Sequence, residues 1–135
     1  MKNILIIIGL LFGMMVAEAK TTITVVKSEQ KMYVISDLGS YTWPVSTARK
    51  GYNTPTGTYH PIGLQVMHYS KKYDNSPMPF SIFFTGGYAI HGTPHVGGLG
   101  KPHSHGCVRL LPANAKILFN MVSTDRKGTT IYIKK

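Results

Sequence analysis

The sequence predicts a mostly β domain, a β-sandwich or partly closed barrel, with one short helix near residues 112–122. Three observations carry this. Short runs of alternating or β-branched residues recur along the chain. Clusters of turn-forming residues separate them. A helical repeat of apolar residues occurs once, close to the end.

Residues 1–19 stand apart from that pattern. Lys2 supplies a positive start, Ile4 to Val16 is apolar apart from Gly9 and Gly13, and Ala17-Glu18-Ala19 has the small-x-small form of a cleavage site. A cleavable export signal is expected over 1–19, because the apolar run is too short to span a bilayer well and no stop-transfer pattern follows. The folded domain is then expected over 20–135, a length that suits one domain.

The strands follow in order. Thr21 to Lys27 alternates, with Ile23 and Val25 on one face. Met32 to Ser36 comes after the polar turn Ser28-Glu29-Gln30-Lys31. Tyr41 to Ser46 follows Asp37-Leu38-Gly39-Ser40, and Pro44 within it favours an edge position or a bulge. Leu64 to Tyr69, Pro79 to Phe84, Tyr88 to His91 and Thr129 to Lys134 complete the set. For the helix, Pro112 suits the first position, and Ala113, Ile117 and Met121, with Leu118 and Val122, form the expected apolar stripe. Lys116 and Asn120 then face water.

The net charge is +10, and loss of Lys2 and Glu18 with the signal leaves it unchanged. A basic exported chain is drawn to anionic envelope surfaces, and export argues against nucleic acid as the partner. Cys107 is the only cysteine. Exported proteins tend to pair their cysteines, so an unpaired one points to a reactive thiol.

The neighbours of Cys107 support that. Four of the six histidines fall between positions 91 and 105, around a glycine-rich loop from Gly92 to Ser104. The thiolate is the nucleophilic form, and either His91 or His105 can take the thiol proton to give a thiolate–imidazolium pair. Such a pair makes Cys107 alkylate faster than a free thiol. His105 and Cys107, two residues apart, share a face if the chain is extended there, although Gly106 can bend it. Gly106 also lets backbone N–H groups approach a reacting carbonyl.

Other chemistries fit less well. The mature acids Glu29, Asp37, Asp74 and Asp125 all lie in turn-like settings, so no carboxylate pair is prepared for glycoside hydrolysis. Ser104 lacks the glycine of a nucleophile elbow, and Gly100-Lys101-Pro102 lacks the Ser or Thr of a phosphate loop. His91, His95, His103, His105 and Cys107 match no strong zinc spacing, so no metal is expected. His60 and His68, on strand-like segments, are expected to be structural.

At His91-Gly92-Thr93 and Ser104-His105-Gly106-Cys107-Val108-Arg109 the chain resembles the L,D-transpeptidase catalytic domain, also called the YkuD domain. Trp43-Pro44-Val45-Ser46-Thr47 and Thr54-Pro55-Thr56-Gly57-Thr58-Tyr59 resemble upstream segments of the same family. So do the strands Met78-Pro79-Phe80, Phe83-Phe84 and Tyr88-Ala89-Ile90. Ala48 stands where the family often has glycine, and Arg109 where many members have asparagine.

The resemblance implies a β-sandwich-like fold and a cysteine acyltransferase that needs no cofactor. Cys107 attacks an L,D peptide bond of a peptidoglycan stem and forms a thioester. His91 is the base, the Gly92 carbonyl orients it, and His105 lines the site. Gly106 and Cys107 offer N–H groups to the oxyanion, and an amine of a second stem accepts the acyl group. Arg109 suits a stem carboxylate, with Ser104 and Thr93 as further substrate contacts. The expected setting is the periplasm or cell wall, as a monomer. A hydrolase acting on the same bond, as an L,D-carboxypeptidase or L,D-endopeptidase, shares the acyl-enzyme. A non-enzymatic wall-binding module would keep only the fold.

Overall fold

The computed structural model describes residues 20–135, and the export signal read at 1–19 lies outside them. Among the described residues, nine strands form two sheets. The first contains β1 (Thr21–Val26), β2 (Lys31–Ser36), β3 (Gly39–Pro44), β4 (Gly57–Tyr59) and β9 (Thr129–Lys134), in the order β3-β2-β1-β9-β4. The second contains β5 (Gly63–Ser70), β6 (Ser76–Thr85), β7 (Tyr88–Gly92) and β8 (Val108–Leu110), in that order. The helix α1 (Pro112–Thr124) follows β8.

The period-2 pattern explains the layering. In β1, Thr21, Ile23 and Val25 are buried while the residues between them are partly exposed. Met32 and Val34 of β2 and Ile131 and Ile133 of β9 turn the same way. Against them pack Ile82, Phe84, Ile90, Val108 and Leu110 from the second sheet. The core is therefore the space between the sheets, as a sandwich requires.

Of the two expected forms, the sandwich describes the molecule: the two sheets do not close into a barrel. Pro44 ends β3 at the sheet edge, as its missing N–H demands. The chain then crosses between the sheets. Val45 N–H bonds to the Gln30 carbonyl, and the next residue bonds to the other sheet, Ser46 N–H to the Arg109 carbonyl at 3.1 Å. Isolated bridges of Ser46 with Arg109 and Ala48 with Ser104 are the joints here, too short to continue a ladder.

Two strand pairs are parallel, β1 with β9 and β7 with β8. The second matters most. It pairs Ile90 with Val108, His91 with Arg109 and Gly92 with Leu110, so the loop between them returns the chain alongside itself. In β6, Phe80 at φ 54° interrupts pairing with β5 between Gln65–Ser81 and Met67–Pro79. Pro79, in the outer half of this hairpin, reaches the end of β7: a Cβ on Gly92 would lie 3.1 Å from its Cγ.

α1 begins at Pro112 as expected, and Lys116 and Asn120 are exposed, but the buried face differs from the expected stripe. Ala115, Leu118, Met121 and Val122 are buried, whereas Ala113 and Ile117 are exposed. The reason is the close approach at Gly92, where a Cβ would lie 3.0 Å from Pro112 Cα and 3.4 Å from Ala115 Cβ. That contact turns Ala115 inward and carries Leu118 and Val122 with it. Leu118→Ala should therefore destabilise the fold by about 2–5 kcal/mol, and Ile117→Ala by less than about 1 kcal/mol, in urea unfolding. Equal losses would contradict this helix phase.

Candidate active site

β7 and β8 build the site. In β8, Val108 and Leu110 are fully buried, so Cys107 and Arg109 project to the opposite side, where both are partly exposed. His91 lies on the strand alongside and is 6% exposed. All three line one cleft of about 430 Å³, with Ser104 and His105.

The His91 ring is fixed. Its Nδ1 lies 2.6 Å from the carbonyl oxygen of Gly92. A carbonyl only accepts, so Nδ1 carries the hydrogen and Nε2 keeps a free lone pair. This is the arrangement of a base oriented without a carboxylate.

The loop that carries Cys107 is held by two hydroxyls, those of Ser104 and Thr54. Ser104 Oγ donates to the Cys107 carbonyl at 2.6 Å and accepts from Gly106 N–H at 3.1 Å. The Gly106 N–H is thus engaged within the loop, which corrects the expectation that it faces a reacting carbonyl. Thr54 Oγ1 donates to the Gly106 carbonyl at 2.8 Å. Gly106 sits at φ 142°, and a Cβ there would meet the Tyr88 ring at 2.6 Å and the Asn53 carbonyl at 3.1 Å. Only glycine fits.

The bend at Gly106 also sets where His105 lies. Residues 105–107 form a bend rather than a strand, so the shared face expected for His105 and Cys107 is not built on an extended chain. The His105 ring instead stacks on Tyr73, with centroids 4.1 Å apart, and its Nε2 meets Arg49. Burial and the cations Arg49, Arg109 and Lys72 lower its pKa.

The remaining residues divide. Thr93 is buried and stands apart from the residues lining the cleft, its hydroxyl accepting from His95 N–H at 3.1 Å. His60 Nδ1 bonds the Thr129 carbonyl at 3.0 Å, as a structural residue would. His68 does line the cleft, from β5, together with Tyr73 and Tyr88. No motif marked His68 or Tyr73, which the β5–β6 hairpin brings across; Tyr88 lies in the segment Tyr88-Ala89-Ile90 already singled out. Among the described residues, no three His, Cys, Asp or Glu side chains come together as a metal-holding group.

Burial opposes both halves of a resting ion pair. It pushes the Cys107 thiol up, against the smaller opposite pulls of a hydrogen bond with the Ala89 backbone and the Arg109 charge. It lowers His91 to about 4; the Gly92 bond resists, while the charges of Arg109 and His68 assist. Burial thus favours a neutral thiol and a neutral imidazole over the ion pair. This departs from the thiolate–imidazolium pair that the residue types suggested, because a sequence does not display desolvation.

Residues 20–133 match the family profile of the L,D-transpeptidase catalytic domain, YkuD. An L,D-transpeptidase from Mycobacterium smegmatis superposes with a TM-score of 0.76 at 23% identity, covering 87% of this chain and 59% of that one. One from Stackebrandtia nassauensis gives 0.74 at 30% identity, covering 88% and 57%. One from Mycobacterium tuberculosis gives 0.76 at 20% identity, covering 87% and 58%. The chain thus spans less than two thirds of the length of these solved structures. No curated protein matches it.

Two measurements test the electrostatics. The rate of Cys107 alkylation by iodoacetamide should still be climbing above pH 9, since the thiol is raised. A rate already flat by pH 7 would reveal a resting ion pair. The second concerns stability. His91 has a folded pKa of about 4, below its unfolded value, so its contribution is complete above the unfolded pKa and is lost as pH falls toward 4. The loss should reach about 3 kcal/mol at pH 4 in urea unfolding, and His91→Gln should lack it. The same pH dependence in both proteins would contradict the assignment.

Proposed function

The chain belongs to the L,D-transpeptidase catalytic domain family, and from that premise we propose that it crosslinks peptidoglycan stem peptides through a thioester on Cys107. The observation that carries this reading is His91, held by the Gly92 carbonyl with Nε2 free, lining the same cleft as the thiol of Cys107.

The proposed reaction starts from the neutral pair. As Cys107 Sγ bonds to the carbonyl carbon of an L,D peptide bond, His91 Nε2 takes the thiol proton. The carbonyl π electrons move to oxygen, and the Cys107 N–H is the donor available to that oxyanion. Collapse breaks the C–N bond, and the proton on His91 passes to the departing amine. An amine of a second stem then attacks the thioester, gives its proton to His91 and releases the thiol, which regains a proton. Proton transfer within the attack avoids a lasting pair of charges in a desolvated site.

Charge supports an anionic peptide as substrate. Arg109 is partly exposed two residues beyond Cys107 on the same side of β8, and Lys71 and Lys72 line the cleft as well. Among the described residues, no Asp or Glu lines the cleft. Arg109 suits a stem carboxylate, where a planar guanidinium can make two parallel bonds. Ser104 acts through the nucleophile loop rather than on substrate, since both functions of its hydroxyl are engaged there.

Export to the periplasm or cell wall is part of the proposal, supported by Lys2, the apolar run Ile4 to Val16 and Ala17-Glu18-Ala19. The charge of +10 suits attachment to an anionic envelope surface. We propose action as a monomer, because the cleft is assembled within one chain.

The test is to incubate residues 20–135 with a disaccharide-tetrapeptide and read the products by mass spectrometry. A crosslinked dimer is expected. Cys107→Ala should abolish it, and His91→Asn should lower the rate about 10²–10⁴-fold. A tripeptide without dimer would replace transfer by hydrolysis. Product formation independent of Cys107 would end the thioester reading.

A further inference from the structure

The nucleophile loop is braced from behind by a residue outside the cleft, Thr54, which is 1% exposed. Its hydroxyl makes two bonds, accepting from Ala48 N–H at 3.0 Å and donating to the Gly106 carbonyl at 2.8 Å. Its own carbonyl accepts from Lys27 Nζ at 2.7 Å. Thr54 therefore joins three segments, the residue just after β1, the crossing segment at Ala48 and the loop that carries the thiol.

The bond to Gly106 has a directional consequence. In a planar trans peptide the C=O of one residue and the N–H of the next point in opposite directions. Thr54 draws the Gly106 carbonyl into the buried side, so the Cys107 N–H is turned the other way, toward the side where the thiol lines the cleft. Ser104 completes the frame by engaging Gly106 N–H and the Cys107 carbonyl. Of the polar backbone groups of the Gly106–Cys107 pair, the Cys107 N–H is the one left unused by this frame.

We propose that Thr54 is the positioning residue of the oxyanion site: through the Gly106 carbonyl it sets the direction of the Cys107 N–H, while touching neither substrate nor thiol. This rests on the acyl-transfer reading above. It assigns Thr54 a role in the tetrahedral step that is separable from the reactivity of the thiol. A rotation of one peptide plane costs catalysis without unfolding the domain, because a donor must lie within a few tenths of an ångström of its place.

Two reactions of one thiol test this. Iodoacetamide alkylation displaces iodide at a saturated carbon and forms no oxyanion. Turnover of the disaccharide-tetrapeptide requires one. Thr54→Val, which keeps the shape and removes both hydroxyl bonds, should lower kcat about 10-fold to 100-fold. KM and the alkylation rate should change less than about 3-fold, since neither substrate binding nor displacement of iodide uses the oxyanion donor. Thr54→Ser, which retains the hydroxyl, should restore most of kcat. If Thr54→Val fails to fold, Lys27→Met decides instead: it loosens Thr54 through its carbonyl and should lower kcat with the alkylation rate kept. Parallel losses in turnover and alkylation, or unchanged turnover, would overturn the role of Thr54 alone. A wild-type chain that alkylates normally and never turns over the muropeptide would overturn the acyl-transfer reading and this role with it.

Discussion

The parallel pairing of β7 with β8 is the constraint on which the rest depends. Its register, Ile90 to Val108 and His91 to Arg109, decides which side chains meet. A parallel neighbour requires a crossover connection. Here that connection is the loop from Thr93 to Cys107, rich in glycine and histidine. Because Ile90, Val108 and Leu110 are buried in the core, a slip of one residue would turn them out and Cys107 in. The hydrophobic core thus fixes the register, and the register places His91 and Cys107 on one cleft.

Around that pair the molecule replaces charged orientation by backbone and hydroxyl orientation. His91 leans on the Gly92 carbonyl, and the thiol loop leans on Ser104 and Thr54. Fixed dipoles of this kind suit a site where burial lowers His91 to about 4 and raises the thiol. In the proposed reaction the chemistry starts from neutral partners, with charge developing where the Cys107 N–H is aimed.

Much of this was legible in the residues, for physical reasons that differ. Ile23 and Val25 alternate with polar neighbours, and burial follows that alternation directly. Pro44 marked an edge because it lacks an N–H. His91 and Cys107 stood out as residue types with glycines beside them, and both line the cleft. What was not legible depends on long-range contacts. β4 and β8 are three residues each, too short to show a period. His68 and Tyr73 reach the cleft only because β5 and β6 fold back as a hairpin. The phase of α1 follows from how closely Gly92 lets it approach. The engagement of Gly106 N–H by Ser104 follows from a bend that the letters Ser-His-Gly-Cys do not draw.

The central claim is that Cys107 becomes covalently acylated by a stem peptide, and its most direct test is to trap the intermediate. Residues 20–135 would be mixed with a disaccharide-tetrapeptide donor without excess acceptor, quenched in acid within a turnover, and weighed intact. The account predicts a mass increase equal to the donor less its terminal residue, located on Cys107 by peptide mapping and released by hydroxylamine as a thioester is. Product accumulating with Cys107 unmodified at every time point, or an adduct on another residue, would contradict it.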